Sequence, residues 1–346
     1  MLVASQRNFQ NLREMSFLTK FEDWGHGEPY ALSGFFEAHG FKVKELGEVR
    51  QLTTTYKPRN EDFELPVNYF AYINSKNRTL TCFTDANREI RQKTIDRLTG
   101  EIGIYYLWIS PTVFDQMKAE IITKHPGTRI PYFYADRHPS SRLPSVHRPE
   151  VERGFTYRGE DGQQTLEELR HYYGVLPRYV QFDIPGLVEF TVYHLGVFHY
   201  RKGLLEEMFS YSQKAAELVL NIRRILERSK LELVDIETAR KMLQVQNIIP
   251  WEIRFNREID VNDAESMLNE LRLKGFAIYN DVVTPGSVYL DATVFDERKR
   301  SVFSVTSDKH RMIVSPRHNT TFDSFLRFFE TITDSFDPEA SIRAPA

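Results

Sequence analysis

Between Lys124 and Arg158 the chain reads KHPGTRIPYFYADRHPSSRLPSVHRPEVERGFTYR. Seven cationic side chains (Lys124, Arg129, Arg137, Arg142, Arg148, Arg153 and Arg158) stand there against three acids, Asp136, Glu150 and Glu152. A guanidinium presents a planar fork of donors that fits phosphate oxygens and also stacks on flat rings. Tyr132, Phe133, Tyr134, Phe155 and Tyr157 are interleaved with these cations, and aromatic side chains are what unpaired bases stack on. The pattern predicts nucleic-acid binding, with Arg129, Arg137, Arg142, Arg148, Arg153 and Arg158 on phosphates and Tyr132 and Tyr134 under bases. It does not choose between DNA and RNA. The competing reading is that these arginines are solvated or pair with acids of their own chain.

Other constellations are less complete. Glu297-Arg298-Lys299 has the acid-x-lysine spacing of a metal-dependent nuclease half-site, with Asp281 or Asp291 as the upstream acid. In that chemistry two acids hold Mg²⁺ and the lysine sits beside the attacking water. The triplet falls where a hairpin turn is expected. Asp183 with Glu189 gives a second acid pair, but the position two beyond Glu189 is Thr191, so the lysine is missing. His194 and His199 lie five apart in a strand-like run and point to opposite faces. His138 and His147 sit among arginines, which disfavour a bound cation. Asp23-Trp24-Gly25-His26-Gly27 lacks the dinucleotide-loop pattern and its preceding strand. Neither a metal, a cofactor nor a catalytic set is therefore expected.

The 346 residues carry a net charge of −3, 41% hydrophobic and 27% charged side chains, as in an ordinary soluble globular chain. Residues 124–230 have a net of +3 and the remainder −6, so any positive field is local. A single cysteine, Cys82, excludes an internal disulfide framework and fits a reducing compartment and a core position. The apolar run from Ile102 to Phe114 contains Pro111 and is too short for a bilayer, and no leader pattern opens the chain. No membrane association and a cytoplasmic location are the expectations.

The elements that would position these residues read as follows. Residues 1–40 look partly helical, with Asp23 to Tyr30 as a loop, and Phe41 to Tyr56 is strand or helix. Val67 to Ile73 and Thr79 to Phe83 form a hairpin about Asn74-Ser75-Lys76-Asn77. Helices are expected over Asp85 to Arg97, Thr112 to Thr123 and Thr165 to Tyr173, with a buried strand over Ile102 to Ile109. Five prolines make the Lys124–Arg158 stretch an irregular, exposed path. Strands at Tyr179 to Asp183 and Leu187 to Tyr200 precede an amphipathic helix from Leu204 to Leu231.

A change of pattern near residue 232 divides the chain into 1–232 and 233–346. The second unit opens with a helix over Asp235 to Val245 and another capped by Asp260 with Asp263. Strands at Phe276 to Tyr279, Val288 to Phe295, Val302 to Thr306 and Met312 to Ser315 follow, then a helix from Thr320 or Thr321 and a frayed tail from Asp337. Two helices before a hairpin resemble the order of a winged helix. The gap between them is too long, and the second helix too acidic, for groove insertion. Segregated helices and antiparallel meanders make the fold class α+β. The leading expectation is a non-catalytic nucleic-acid-binding protein, with membership of a larger assembly, through a protein partner or further copies of itself, as its extension. A Mg²⁺-dependent nuclease and a protein-interaction scaffold are the alternatives.

Overall fold

The computed structural model describes residues 11–21, 23–25, 31–59, 62–101, 103–237, 242–282 and 290–344. In chain order the first part contains β1 (Arg13–Thr19), α1 (Leu32–Ala38), β2 (Lys42–Leu46), β3 (Val49–Tyr56), β4 (Leu65–Asn74) and β5 (Thr79–Thr84). It continues with α2 (Arg88–Lys93), β6 (Ile104–Tyr106), α3 (Pro111–Lys124), β7 (Arg129–Arg137), β8 (Arg153–Arg158) and α4 (Gly162–Tyr173). Then come β9 (Leu176–Ile184), β10 (Val188–Tyr193), β11 (Val197–Gly203) and α5 (Leu205–Arg228). The eleven strands form one sheet in the order β2-β3-β4-β5-β1-β11-β10-β9-β7-β8, with β6 added on β1. Its described strand pairs are antiparallel.

Both faces of this sheet are used, because strand side chains alternate. Phe133, Val180, Phe182, Phe190, Val192 and Phe198 point to one side, into the core that also takes Met117 of α3 and Met208 and Val219 of α5. On the other side Met15, Phe17, Leu80 and Cys82 pack with Leu32 and Phe36 of α1 and with Leu98 in a second core. Each such large side chain contributes about 1.5–3 kcal/mol on burial. The second core covers only the β1–β5 half of its face, and the half built from β7 to β10 is left open.

The rest of the chain adds β12 (Lys230–Glu237), β13 (Met242–Ile249), β14 (Trp251–Arg254), α6 (Val261–Leu273), β15 (Phe276–Val282) and β16 (Leu290–Asp296). It ends with β17 (Ser301–Ser307), β18 (Arg311–Pro316), α7 (Phe322–Thr331) and β19 (Ser341–Arg343). A six-stranded sheet runs β15-β16-β17-β18-β14-β19. Trp251, Phe303, Phe325 and Phe328 of this unit belong to the same buried core as Phe133 and Phe190 of the large sheet. Residue 232 lies inside β12, while the strands up to Gly203 and from Trp251 onward belong to different sheets. The fold is α+β.

Several elements match the expectation from sequence. The β4–β5 hairpin, α3, α4 closed by Gly174, the long α5, the Asp260/Asp263 capping box of α6 and the Thr321 cap of α7 are all present. Others differ. Leu12 to Phe21 contains a strand, since Met15 and Phe17 face one core and Leu18 the other, which two-sided burial in a sheet centre permits. Residues 1–10 and most of the Asp23–Tyr30 loop lie outside the described residues. Phe41–Tyr56 is the β2–β3 hairpin. The strand expected over Ile102–Ile109 shortens to β6, and the Asp85–Arg97 helix to α2, capped by Asn87.

The helix expected over Asp235–Val245 is instead a β12–β13 hairpin, paired from Lys230↔Ile249 to Glu237↔Met242. Leu231, Leu233, Val234, Ile248 and Ile249 suit a pleated surface, and the partner strand overrides a capping aspartate. The tail is not frayed: Asp337 and Ala340 are buried, and β19 pairs with β14. Finally, Lys124–Arg158 is not irregular throughout. Lys124 ends α3, a short turn at 125–128 leads into β7, β7 and β8 pair with each other, and residues 138–152 form the loop between them. Proline survives at Pro131 because β7 has a register irregularity there.

Candidate nucleic-acid interface

The pairing of β7 with β8 and β9 decides where the candidate residues go. Tyr132 lies opposite Arg158 on one side and Gln181 on the other; Tyr134 lies opposite Thr156 and Tyr179. The register continues, Gln181↔Thr191↔His199↔Arg13 and Tyr179↔Tyr193↔Val197↔Met15. Two adjacent rows therefore cross six strands on this face, open at the tyrosines of β7, β9 and β10 and buried at Thr191, His199, Val197 and Met15. One reads Arg158, Tyr132, Gln181, Thr191, His199, Arg13; the other reads Thr156, Tyr134, Tyr179, Tyr193, Val197, Met15. At the usual strand spacing the first row is about 24 Å long.

The tyrosines form a continuous patch. Ring centroids are 5.6 Å apart for Tyr132–Tyr179, 5.8 Å for Tyr134–Tyr179 and 5.2 Å for Tyr179–Tyr193. Tyr132 and Tyr179 hydroxyls are 3.2 Å apart. Burial, then its hydrogen bond to Tyr132, raises the Tyr179 phenol pKa, so this phenol stays neutral. Tyr134 lies over Gly154, where a Cβ would come within 2.7 Å of its hydroxyl. The four rings are half-buried, with their outer surfaces at the solvent boundary.

A row of charges borders the patch. Arg129 donates to Asp183 at 2.5 Å, Asp183 lies opposite Glu189, and Glu189 pairs with Lys202 at 2.8 Å. At the β1 end, Arg13 donates to the carbonyls of Asn11 and Asp85. Burial, then Arg91, with Arg201 adding to it, lowers the Arg13 pKa. His199 is 5% exposed, and burial followed by Arg13, Arg201 and Arg91 pushes its pKa down to about 3, so its ring is neutral at physiological pH.

The candidate arginines divide into distinct environments. Arg129 and Arg158 join Tyr132 and Tyr134 on the open face. Arg137 is 3% exposed and donates to the carbonyls of Pro149, Leu143, Gly174 and Ser141, closing the loop between β7 and β8. Gly174 makes this possible, since it ends α4 at φ +60 and a Cβ there would lie 2.1 Å from the Arg137 guanidinium. Arg142, with its side chain 8% exposed, donates to the carbonyls of Arg257 and Glu258 and pairs with Asp263 and Asp337. Arg153 lies on the opposite face of β8, over the Tyr173 ring at 5.0 Å. Arg148 sits exposed in the loop at φ +42.

The acid–lysine constellations are also placed. Lys299 is buried beside Asp323 at 3.6 Å, and Asp281 pairs with Arg272. Asp183 and Glu189 are direct cross-strand neighbours, and Lys202 of β11 supplies the cation that the linear spacing lacks. Among the described residues there is no group of three or more His, Cys, Asp or Glu side chains able to hold a metal ion. No helix among them is long and apolar enough to cross a membrane.

Sequence reasoning missed Tyr179, Tyr193, Gln181, Thr191, His199 and Arg13. The alternations Tyr179/Gln181/Asp183 and Glu189/Thr191/Tyr193 were a legible signal for one face of two strands. The placement of Arg13 beside His199 carries no local signal.

Residues 112–194 match the model of the AF_0896_M family middle domain. That stretch runs from α3 to β10 and so contains all four tyrosines of the patch. The chain is also similar to a protein of Archaeoglobus fulgidus named "Uncharacterized protein", 27% identical over 293 residues, covering 79% of this chain and 77% of the relative. No solved structure matches.

Proposed function

We propose that the protein binds single-stranded nucleic acid across the open face of the large sheet, without cleaving it. The observation that supports this reading is the patch of Tyr132, Tyr134, Tyr179 and Tyr193 flanked by Arg158 and Arg129. A base stacked on such a ring contributes about 1–3 kcal/mol regardless of sequence. Arg158 is exposed and, among the described residues, has no ion-pair partner, so it is available to a phosphate. The arginines that carry the phosphate contacts in this reading are Arg129 and Arg158, with Arg148 at the loop edge; Arg153 lies on the other face. Arg137 and Arg142 hold the scaffold. Fluorescence anisotropy with labelled DNA and RNA strands at several salt concentrations tests the reading. Affinity should fall as salt rises and drop on Tyr179→Ala; duplex bound as tightly as single strand, or a flat salt response, overturns it.

A second reading rests on Asp183, Glu189 and Lys202. Two carboxylates side by side with a lysine 2.8 Å from one of them resemble half of a Mg²⁺-dependent phosphodiesterase site. Arg129 and Lys202 already neutralise this pair, which favours a cross-strand charge ladder. Incubating labelled strands with Mg²⁺ and with EDTA separates the two: Mg²⁺-dependent cleavage lost in Asp183→Asn would establish the enzyme and displace the binding-only reading.

A further inference from the structure

The β10–β11–β1 end of the open face has more hydrogen-bonding capacity than its own chain satisfies. Among the described residues His199 Nε2, Thr191 Oγ1 and Arg91 Nε are buried without a hydrogen-bond partner. Their residues are 5%, 1% and 7% exposed. Unsatisfied buried polar groups are costly, and each one in a native fold asks for an explanation. Here they are neighbours. Thr191 lies opposite His199 and His199 opposite Arg13, while Arg91 donates to Met15 Sδ on the same face of β1. Arg201, two residues beyond His199, is exposed and has no ion-pair partner among the described residues. Asp96, 3.9 Å from Arg91, and Asp85, beside Arg13, answer part of this charge. Three guanidiniums within electrostatic reach of one neutral imidazole still leave an excess of positive charge and of donors.

We propose that this cluster is a phosphate-binding site. Arg13 and Arg201 take the anion's oxygens through charge-assisted hydrogen bonds. His199, with its proton on Nε2, and the Thr191 hydroxyl donate from the sheet floor, and Arg91 supports them from α2. The patch of tyrosines begins next to it at Tyr193, so a phosphate held here could come from the end of a bound strand or from a free nucleotide. The strand source depends on the function proposed above; the phosphate site itself does not.

The test uses the whole chain. Calorimetric titrations with inorganic phosphate and with a nucleoside monophosphate measure the site alone, and anisotropy compares strands ending in phosphate with strands ending in hydroxyl. Saturable binding of phosphate, weakened about tenfold or more by Arg13→Gln and by Arg201→Gln, is the expected result. The His199 ring resonances should shift on adding phosphate to the native protein and not to the double variant. Tighter binding of the phosphate-ended strand assigns the strand as source; equal binding of both strands with a saturating mononucleotide assigns the free nucleotide. Absence of saturable binding of phosphate and mononucleotide, or affinities unchanged in both folded variants, overturns the site. Tyr179→Ala keeps the two hypotheses separable. Phosphate binding that persists while no strand binds removes only the strand-binding reading, and strand binding that falls in Tyr179→Ala but ignores both arginine variants removes only the strand as source of the phosphate.

Discussion

Arg137 and Arg158 stand at opposite ends of the same pair of strands and do opposite things. Arg137 is buried, with its guanidinium fully engaged by four backbone carbonyls; Arg158 is exposed on a face bordered by tyrosines. Both belong to one arginine-rich stretch, and nothing in their local sequence separates them. What separates them is a strand's alternation and the carbonyls of a loop that must fold back over its own strand. A dense run of arginines is therefore not one feature: part of it builds the platform and part of it faces outward.

The sharpest way to break that comparison is to remove each member in turn. Arg137→Met should destabilise the fold by about 3–5 kcal/mol, because the carbonyls of Leu143, Gly174 and Ser141 lose their shared donor in a buried setting. Denaturant unfolding reads this. Strand affinity per folded molecule should be unchanged.

β1 repeats the contrast across its own thickness, with Arg13 on the open face and Glu14 on the core face. Burial, only partly offset by the hydrogen bond from Ser212, pushes the Glu14 pKa up to about 8. The folded state thus keeps a proton that the unfolded chain releases near pH 4.5. Its contribution is complete below that pH, declines as pH rises, and is gone above about 8. Glu14→Gln should flatten this decline and gain stability, on the order of a few kcal/mol, at the alkaline end. Thermal melts from pH 5 to pH 9 give the answer, and parallel slopes for both proteins would refute it.

Tyr179→Ala removes the ring at the centre of the patch. Strand affinity should fall by about 1–3 kcal/mol, with a smaller loss if Tyr134 and Tyr193 compensate by closing on the vacancy. The smallest effect is expected from Arg158→Ala: a salt slope shallower by about 0.7 in log–log terms and a stability change within about 0.5 kcal/mol. An equal slope for Arg158→Ala and the native chain would mean that Arg158 meets no phosphate.

How much of this was legible in the sequence follows from the range of the interactions involved. Capping residues such as Asp260 with Asp263 and Thr321 announce helices because the bonds they make are local. The β4–β5 hairpin is likewise fixed by its own turn. Asp235 misled toward a helix because its partner across the hairpin, Gln244, and not its capping chemistry, decides the conformation. The tyrosine pair on β7 was legible as an aromatic cluster, but Tyr179 and Tyr193 reach it only through the β7–β9–β10 register. The fates of Arg137 and Arg142 depend on carbonyls and acids brought from Gly174, Glu258 and Asp337, which no spacing rule supplies.

β1 has one more consequence. It has β5 along one edge; on the other, β6 pairs with Phe17 to Thr19, and Arg13 to Met15 find a partner only when residues near His199 exist. During synthesis that part of the edge stays unpaired until β11 is made, and such an edge is a template for wrong pairing. The face that carries both proposed ligands is bisected by that late seam. Completion of the β1–β11 ladder is then the step at which a folding chain first acquires the whole of the proposed binding surface, and a chain stalled before it would hold the tyrosines of the middle strands without the arginine that stands beside His199.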